Sequence, residues 1–238
     1  MCIKRNHSNS RQRYAANKMC AFVSTGLSRV AEATLAKPTL QGVLVSWYGL
    51  VAVGLSAATL SSLGHTSSFL HGVTGSRCRS EAFTFSEPHQ HPSSMRFLKT
   101  LCRCLIVPAY AEEAFWRCLV HPRPTTLSAF TWDTILQILT INTVFTAYHP
   151  IVGTIVWEYL PTKLGLPSLH RPGVSRIFCD PAFLALTFIL GSVCSAAYMM
   201  NGGGLYAPVI IHGVTVAVWL EVLGGAEALR IHKVKKSE

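Results

Sequence analysis

Between residues 40 and 63 the chain runs LQGVLVSWYGLVAVGLSAATLSSL without one charged side chain. About 20 consecutive apolar residues cross the hydrocarbon core of a bilayer as a helix. Backbone groups there have no water to bond, so a spanning segment must be a helix or part of a closed barrel. This one run already points to a membrane protein built from helices. Other stretches approach the same length. Residues 97–120 form an uneven second span, 127–149 a third, 180–200 a fourth and 205–225 a fifth. The third is expected to stop at His149, because the residue before a proline (here Pro150) avoids helical geometry. IVGTIVWEYL, at 151–160, is too short to cross and reads as a half-helix or an interfacial segment. The expected fold is therefore all-α: a polytopic transmembrane helical bundle of about five to six spans, with a disordered basic N-terminal tail.

Charge supports the same class. Only 13% of the residues are charged and mean hydropathy is +0.34, whereas soluble domains carry nearer a quarter. The formal net charge is +10. A basic protein suggests nucleic acid, but here the cations lie mainly in the tails and polar connections, as they do beside membrane spans. No nucleic-acid partner is expected. The first 31 residues hold Lys4, Arg5, Arg11, Arg13, Lys18 and Arg29, four serines and no acid. That is the composition of an organelle presequence, with a chloroplast membrane the first expectation and a mitochondrial one the second. Of the eight cysteines, Cys102 and Cys104 form a C-x-C in apolar surroundings, and small buried hydrophobes are the simplest reading of all of them. His65, His71, His89 and His91 are too irregularly spaced to suggest a metal site. The resulting division is a basic presequence or tail over 1–38, a first span and polar connection over 39–96, a core over 97–225 and a basic tail over 226–238.

Charges inside an apolar run cost a few kcal/mol each and tend to be functional. AYAEEAFWRCL, at 109–119, holds three of them. On a helix Glu112 and Glu113 point about 100° apart. Arg117 follows Glu113 by four residues in the favourable order, so these two neutralise one another. Glu112 is left without an intrahelical cation. Trp116, one turn on, would desolvate it, which makes Glu112 a candidate general base. His212 lies mid-run in APVIIHGVTVAVW, an unusual place for a histidine without a task. His149 ends its run, with Phe145 one turn before it. Asp133 and Glu221 lie near the ends of runs and are read as interfacial.

EEAFWR, FTAYH and the histidine of APVIIHG, in this order and each inside an apolar helix, resemble the CPBP family of intramembrane proteases. That family includes the type II CAAX prenyl endopeptidases and the abortive-infection proteins. The flanking YHPIVG, FCDPAFLALTFILGSVCSAAYMMNGGG and VWLEVLGG are similar to its cyanobacterial and plastid branch, over roughly residues 97–225. The resemblance implies an intramembrane endopeptidase acting on a membrane protein or a lipidated, possibly prenylated, peptide. Glu112 and His149 would hold and activate a water, and His212 would stabilise the oxyanion. Glu113, Arg117 and Phe145 would support them. No cofactor is expected. The alternative is zinc held by Glu112, His149 and His212, although the sequence has no H-E-x-x-H. Val216 departs from the pattern, because many members carry Asn or Asp there. It opens a second expectation, a non-catalytic membrane scaffold or immunity-type protein of the same fold. A third, a small transporter with a polar relay, would call for paired polar residues or repeat symmetry, and neither is visible.

Overall fold

In a computed structural model of the protein, the structure describes residues 6–62, 94–121, 131–166, 170, 174–223 and 225–230. Every regular element among them is helical. Helix α1 is Asn6–Leu35, α2 is Leu40–Ser62 and α3 is Ser94–Cys104. α4 covers 105–120 through Leu105–Tyr110, Ala111–Glu113 and Ala114–Val120. α5 runs Trp132–Lys163, α6 Val174–Phe178, α7 Pro181–Met200, α8 Tyr206–Glu221 and α9 Gly225–Arg230.

The fold is all-α, but the expected five to six spans are corrected to three. Among the described residues only Leu40–Leu60, Trp132–Lys163 and Pro181–Met200 are helices long and apolar enough to cross a membrane. Two physical reasons account for the difference. The stretch 97–120 is interrupted at Val107, which takes an extended conformation (φ −136°, ψ 118°) ahead of Pro108 and breaks the first turn of α4, so that the polar α3 and the rest of α4 do not form one straight helix. The expected fifth span is the shorter apolar helix Tyr206–Glu221. Conversely, His149–Pro150 does not end the third run. The backbone continues through Pro150 in wider, π-type turns over Val152–Tyr159, so 151–160 extends α5 and is not a separate half-helix.

The N-terminal segment also differs from a disordered tail. α1 is helical from Asn6, and its last turns pack against the core. Arg29 donates to the His121 carbonyl at 2.6 Å, and the Leu205 amide donates to the Ala33 carbonyl at 3.0 Å. Ala33 is buried in a cluster with Cys118, Tyr198 and Leu205.

Local signals set the ends of the site-bearing helices. Thr131 caps α5 by accepting from the Thr134 amide. Asp180 caps α7, accepting from the Ala182 and Phe183 amides at 2.9 and 3.3 Å, with Pro181 in the first turn where its missing N–H costs nothing. α7 stops at Asn201, and the reversal into α8 needs left-handed backbone, supplied by Gly202 (φ 60°) and Gly203 (φ 86°). α2, α7 and α8 share a core of Val53, Leu190, Cys194, Ala197, Ala207 and Ile211. The six described cysteines are all free, and Cys102 is exposed while Cys104 is buried. The histidines of the 64–93 connection lie outside the described residues.

Candidate active site

Arg117 is the centre of the polar interior. Its side chain is 0% exposed, and that of Glu113 is 1% exposed. Nε donates to Glu113 Oε2 at 2.7 Å, across the single helical turn that the i, i+4 spacing supplies. Nη1 donates to Ser195 Oγ at 2.7 Å and to Asn142 Oδ1 at 3.2 Å, and Nη2 donates to the Gly191 carbonyl at 3.1 Å. One guanidinium thus ties α4 to α5 and α7. Gly191 permits this approach, since a Cβ there would stand 2.9 Å from both Asn142 Oδ1 and a Phe145 ring carbon.

Glu113 spends its other oxygen on the third helix. His212 Nδ1 lies 2.8 Å from Glu113 Oε1, and both side chains are buried. A carboxylate at that distance accepts, so Nδ1 carries the hydrogen and the ring orientation is fixed. The neighbouring Gly213 lets α8 close on α4, because a Cβ there would meet the Leu105 backbone at 3.2 Å. Burial strengthens each of these bonds and makes an unmet one costly.

Glu112 stands apart from that network. It lies within electrostatic reach of His212, Glu113, Arg117 and Tyr148, yet its Oε2 is buried and receives no hydrogen bond among the described residues. His149 Nδ1 lies 2.9 Å from the Phe145 carbonyl, so it donates there and leaves Nε2 as an acceptor. The imidazole is packed among the rings of Phe145, Tyr148, Phe178 and Phe183, with centroids 4.8 to 5.8 Å away. Phe145 also faces the His212 ring at 6.4 Å, and so stands beside both histidines. Trp116 is buried against Phe145 and Tyr148.

The structure therefore draws Glu113, Arg117 and His212 into one bonded unit and places Phe145 against it. Among the described residues it leaves the Glu112 carboxylate and His149 Nε2 without a hydrogen bond, and none joins these two. Glu112, His149 and His212 do not form a cluster that could hold a metal ion among the described residues. Val216, with Val53, Leu190, Phe183, Val218 and Trp219, lines an apolar cavity of about 280 Å³ between α2, α7 and α8. Phe183 is shared by this cavity and the His149 surround. Asn142, Ser195 and the Gly191 carbonyl were not anticipated from sequence. A signal was present for Asn142, an amide inside an apolar helix and seven residues, or two turns, before His149. None marked Ser195, because serine is common in such helices.

Residues 94–218 match the family model described as type II CAAX prenyl endopeptidase Rce1-like. The chain belongs to this family. No curated protein and no solved structure matches it. The match covers the stretch from α3 to α8, and so includes every residue of the polar interior described above. Family membership and the apolar helices together make this an integral membrane protein of a protease family, with a buried Glu113–His212 pair of the kind a catalytic dyad needs.

Proposed function

We propose that the protein is an intramembrane endopeptidase in which Glu112 and His149 activate a water and His212 stabilises the oxyanion. The observation that carries this reading is the contrast between neighbouring carboxylates. Glu113 has both oxygens bonded, whereas Glu112 has a buried oxygen with no donor among the described residues. A spare acceptor in a water-poor setting suits a general base.

In the proposed reaction Glu112 takes a proton from water while the water oxygen attacks the peptide carbonyl carbon. His149 Nε2 accepts the water's other hydrogen and orients it. The carbonyl π pair moves to oxygen, and His212 donates to that oxygen through Nε2–H, its ring held by Glu113. Collapse of the tetrahedral intermediate breaks the C–N bond, and Glu112 returns its proton to the leaving amine. With His212 protonated, the four charged groups Glu112, Glu113, Arg117 and His212 sum to zero, which suits a buried site. Oxyanion donors of this kind typically contribute a factor of about 10²–10³ in turnover.

The apolar cavity beside His149 favours a substrate that carries a hydrocarbon group, the prenylated CAAX class among them. Val216 forms part of its wall. The same valine favours a second reading, a non-catalytic scaffold, since it offers no hydrogen bond to an oxyanion. The basic, acid-free N-terminus favours a chloroplast membrane, in keeping with the resemblance to the cyanobacterial and plastid branch.

The test is cleavage of a membrane-peptide library by purified, detergent-solubilised protein, wild type beside Glu112→Gln, with and without a chelator, and with prenylated and unmodified C-a-a-X peptides. Cleavage lost in the variant and kept in chelator is the expected result. Loss in chelator would move the assignment to a metalloenzyme. An inactive wild type would favour the scaffold.

A further inference from the structure

Helix α3 stands out from the other helices of the chain. Its core face is Phe97, Thr100, Leu101 and Cys104, all buried or partly buried. Thr100 donates to Glu221 Oε1 at 2.7 Å and Arg96 Nε pairs with Glu221 Oε2 at 2.8 Å, so this face is fixed on the end of α8. The opposite side carries two parallel stripes at helical spacing. Met95, Leu98 and Cys102 make an exposed apolar stripe, continued by Ile106 in the first turn of α4, and Met95, Leu98 and Ile106 are 61%, 52% and 67% exposed. Beside it, offset by about 90–100° by helical geometry, run Arg96, Lys99 and Arg103, all exposed. Residues 94–111 contain no Asp or Glu, and among the described residues no carboxylate pairs with Lys99 or Arg103.

A helix that spans a bilayer does not expose a cationic stripe along its length, and one in water does not expose an apolar stripe. A helix lying in the interface satisfies both, with its apolar stripe sunk into the acyl boundary and its cations at the headgroups. Long Lys and Arg stems can reach the phosphates from that position. The kink at Val107, in the first turn of α4, turns the chain away from this orientation.

We propose that α3 lies in the plane of the membrane–water interface and binds anionic phospholipid headgroups through Lys99 and Arg103. Arg96, held by Glu221, couples that surface to α8, the helix that carries His212. The shared chemistry is a phosphate monoanion. A lipid headgroup is favoured over free phosphate because the apolar stripe adjoins the cations.

The experiment uses the full chain reconstituted in vesicles of phosphatidylcholine with a minor fraction of phosphatidylglycerol. Lipids retained on the extracted protein are counted by native mass spectrometry. Each cation near an anionic surface contributes about 1 kcal/mol, or about fivefold in preference. Lys99→Gln/Arg103→Gln should therefore lower the preference for phosphatidylglycerol by fivefold or more, and Lys99→Arg/Arg103→Lys should keep it. Wild-type preference should fall with added salt. A control pair, Lys37→Gln/Lys163→Gln, should change it little. The proposal is overturned by an unchanged preference in the neutral double variant, by equal loss in the control pair, or by displacement of the lipid with millimolar inorganic phosphate or glycerol phosphate. No peptidase activity enters the readout, so this proposal and the catalytic assignment fail separately.

Discussion

At the C-terminal end of α8, Glu221 is held by Arg96 and Thr100 of α3. Nearer its middle, His212 is held by Glu113 of α4, which Arg117 holds in turn. Both clasps join α8 to the 94–120 stretch through a glutamate and an arginine, but their surroundings differ. The outer arginine is 54% exposed and the inner one 0%. Water can reach the outer guanidinium, although the Glu221 side chain is itself only 7% exposed, whereas nothing in the apolar interior can replace the inner bonds. A pair with one partner at the surface therefore adds less to stability, while breaking an enclosed pair is severe because a charge is left stranded. Between the two clasps Leu105 packs closely on Gly213, and the break at Val107 lies just beyond it. The inner clasp is suited to holding geometry and the outer one to responding to its environment.

Changes at Glu112, which belongs to neither clasp, should have the largest effect. Glu112→Gln should cut turnover by about 10²–10⁴ with no loss of thermal stability in detergent. A variant that keeps its activity would remove Glu112 as the base. Arg117→Met should come next, destabilising by about 3–5 kcal/mol because Glu113 Oε2 stays buried without its cation. The double variant Glu113→Leu/Arg117→Met should recover much of that stability and none of the activity, which would separate the clasp's contribution to folding from its contribution to chemistry. Asn142→Leu removes one acceptor from Arg117 and should cost about 1–3 kcal/mol in denaturant titration. A smaller loss than that of Arg117→Met is required if the guanidinium is the hub. Arg96→Gln should change stability by about 0–1 kcal/mol. A loss as large as that of Arg117→Met would erase the distinction between the clasps.

How much of this was legible in the sequence depended on the range of the interaction. α2 and α7 are readable because each is one uninterrupted apolar run of spanning length. Glu113–Arg117 is readable because i, i+4 neighbours on a helix must meet. The partition of 97–120 was not, because its hydrophobicity is shared between a two-striped helix and a charged one, and this, with the short Tyr206–Glu221 helix, made the count of spans too high. Pro150 misled in the other direction. Proline makes a helix end probable, but wider turns absorb it where the packed chain on either side keeps the helix going. The convergence of Asn142, Ser195 and Gly191 on one guanidinium is a property of packing between three helices, and no local pattern encodes it. The sequence argument freed Glu112 by excluding it from the pair with Arg117. It did not foresee that Glu113 would also take His212.

The docking of α1 has a consequence for how the N-terminus can be trimmed. Gly26 lies against Leu119, where a Cβ would come within 2.6 Å of its side chain, and Arg29 and Ala33 hold the His121 carbonyl and the Leu205 amide. A peptidase that matures this chain by removing a leader has to cut upstream of Gly26. A cut further along would take away the helix turns that cover Cys118 and Tyr198, at the back of the charged interior. The acid-free composition that suggests a leader continues past that limit, so composition alone would place the mature start too far into the fold.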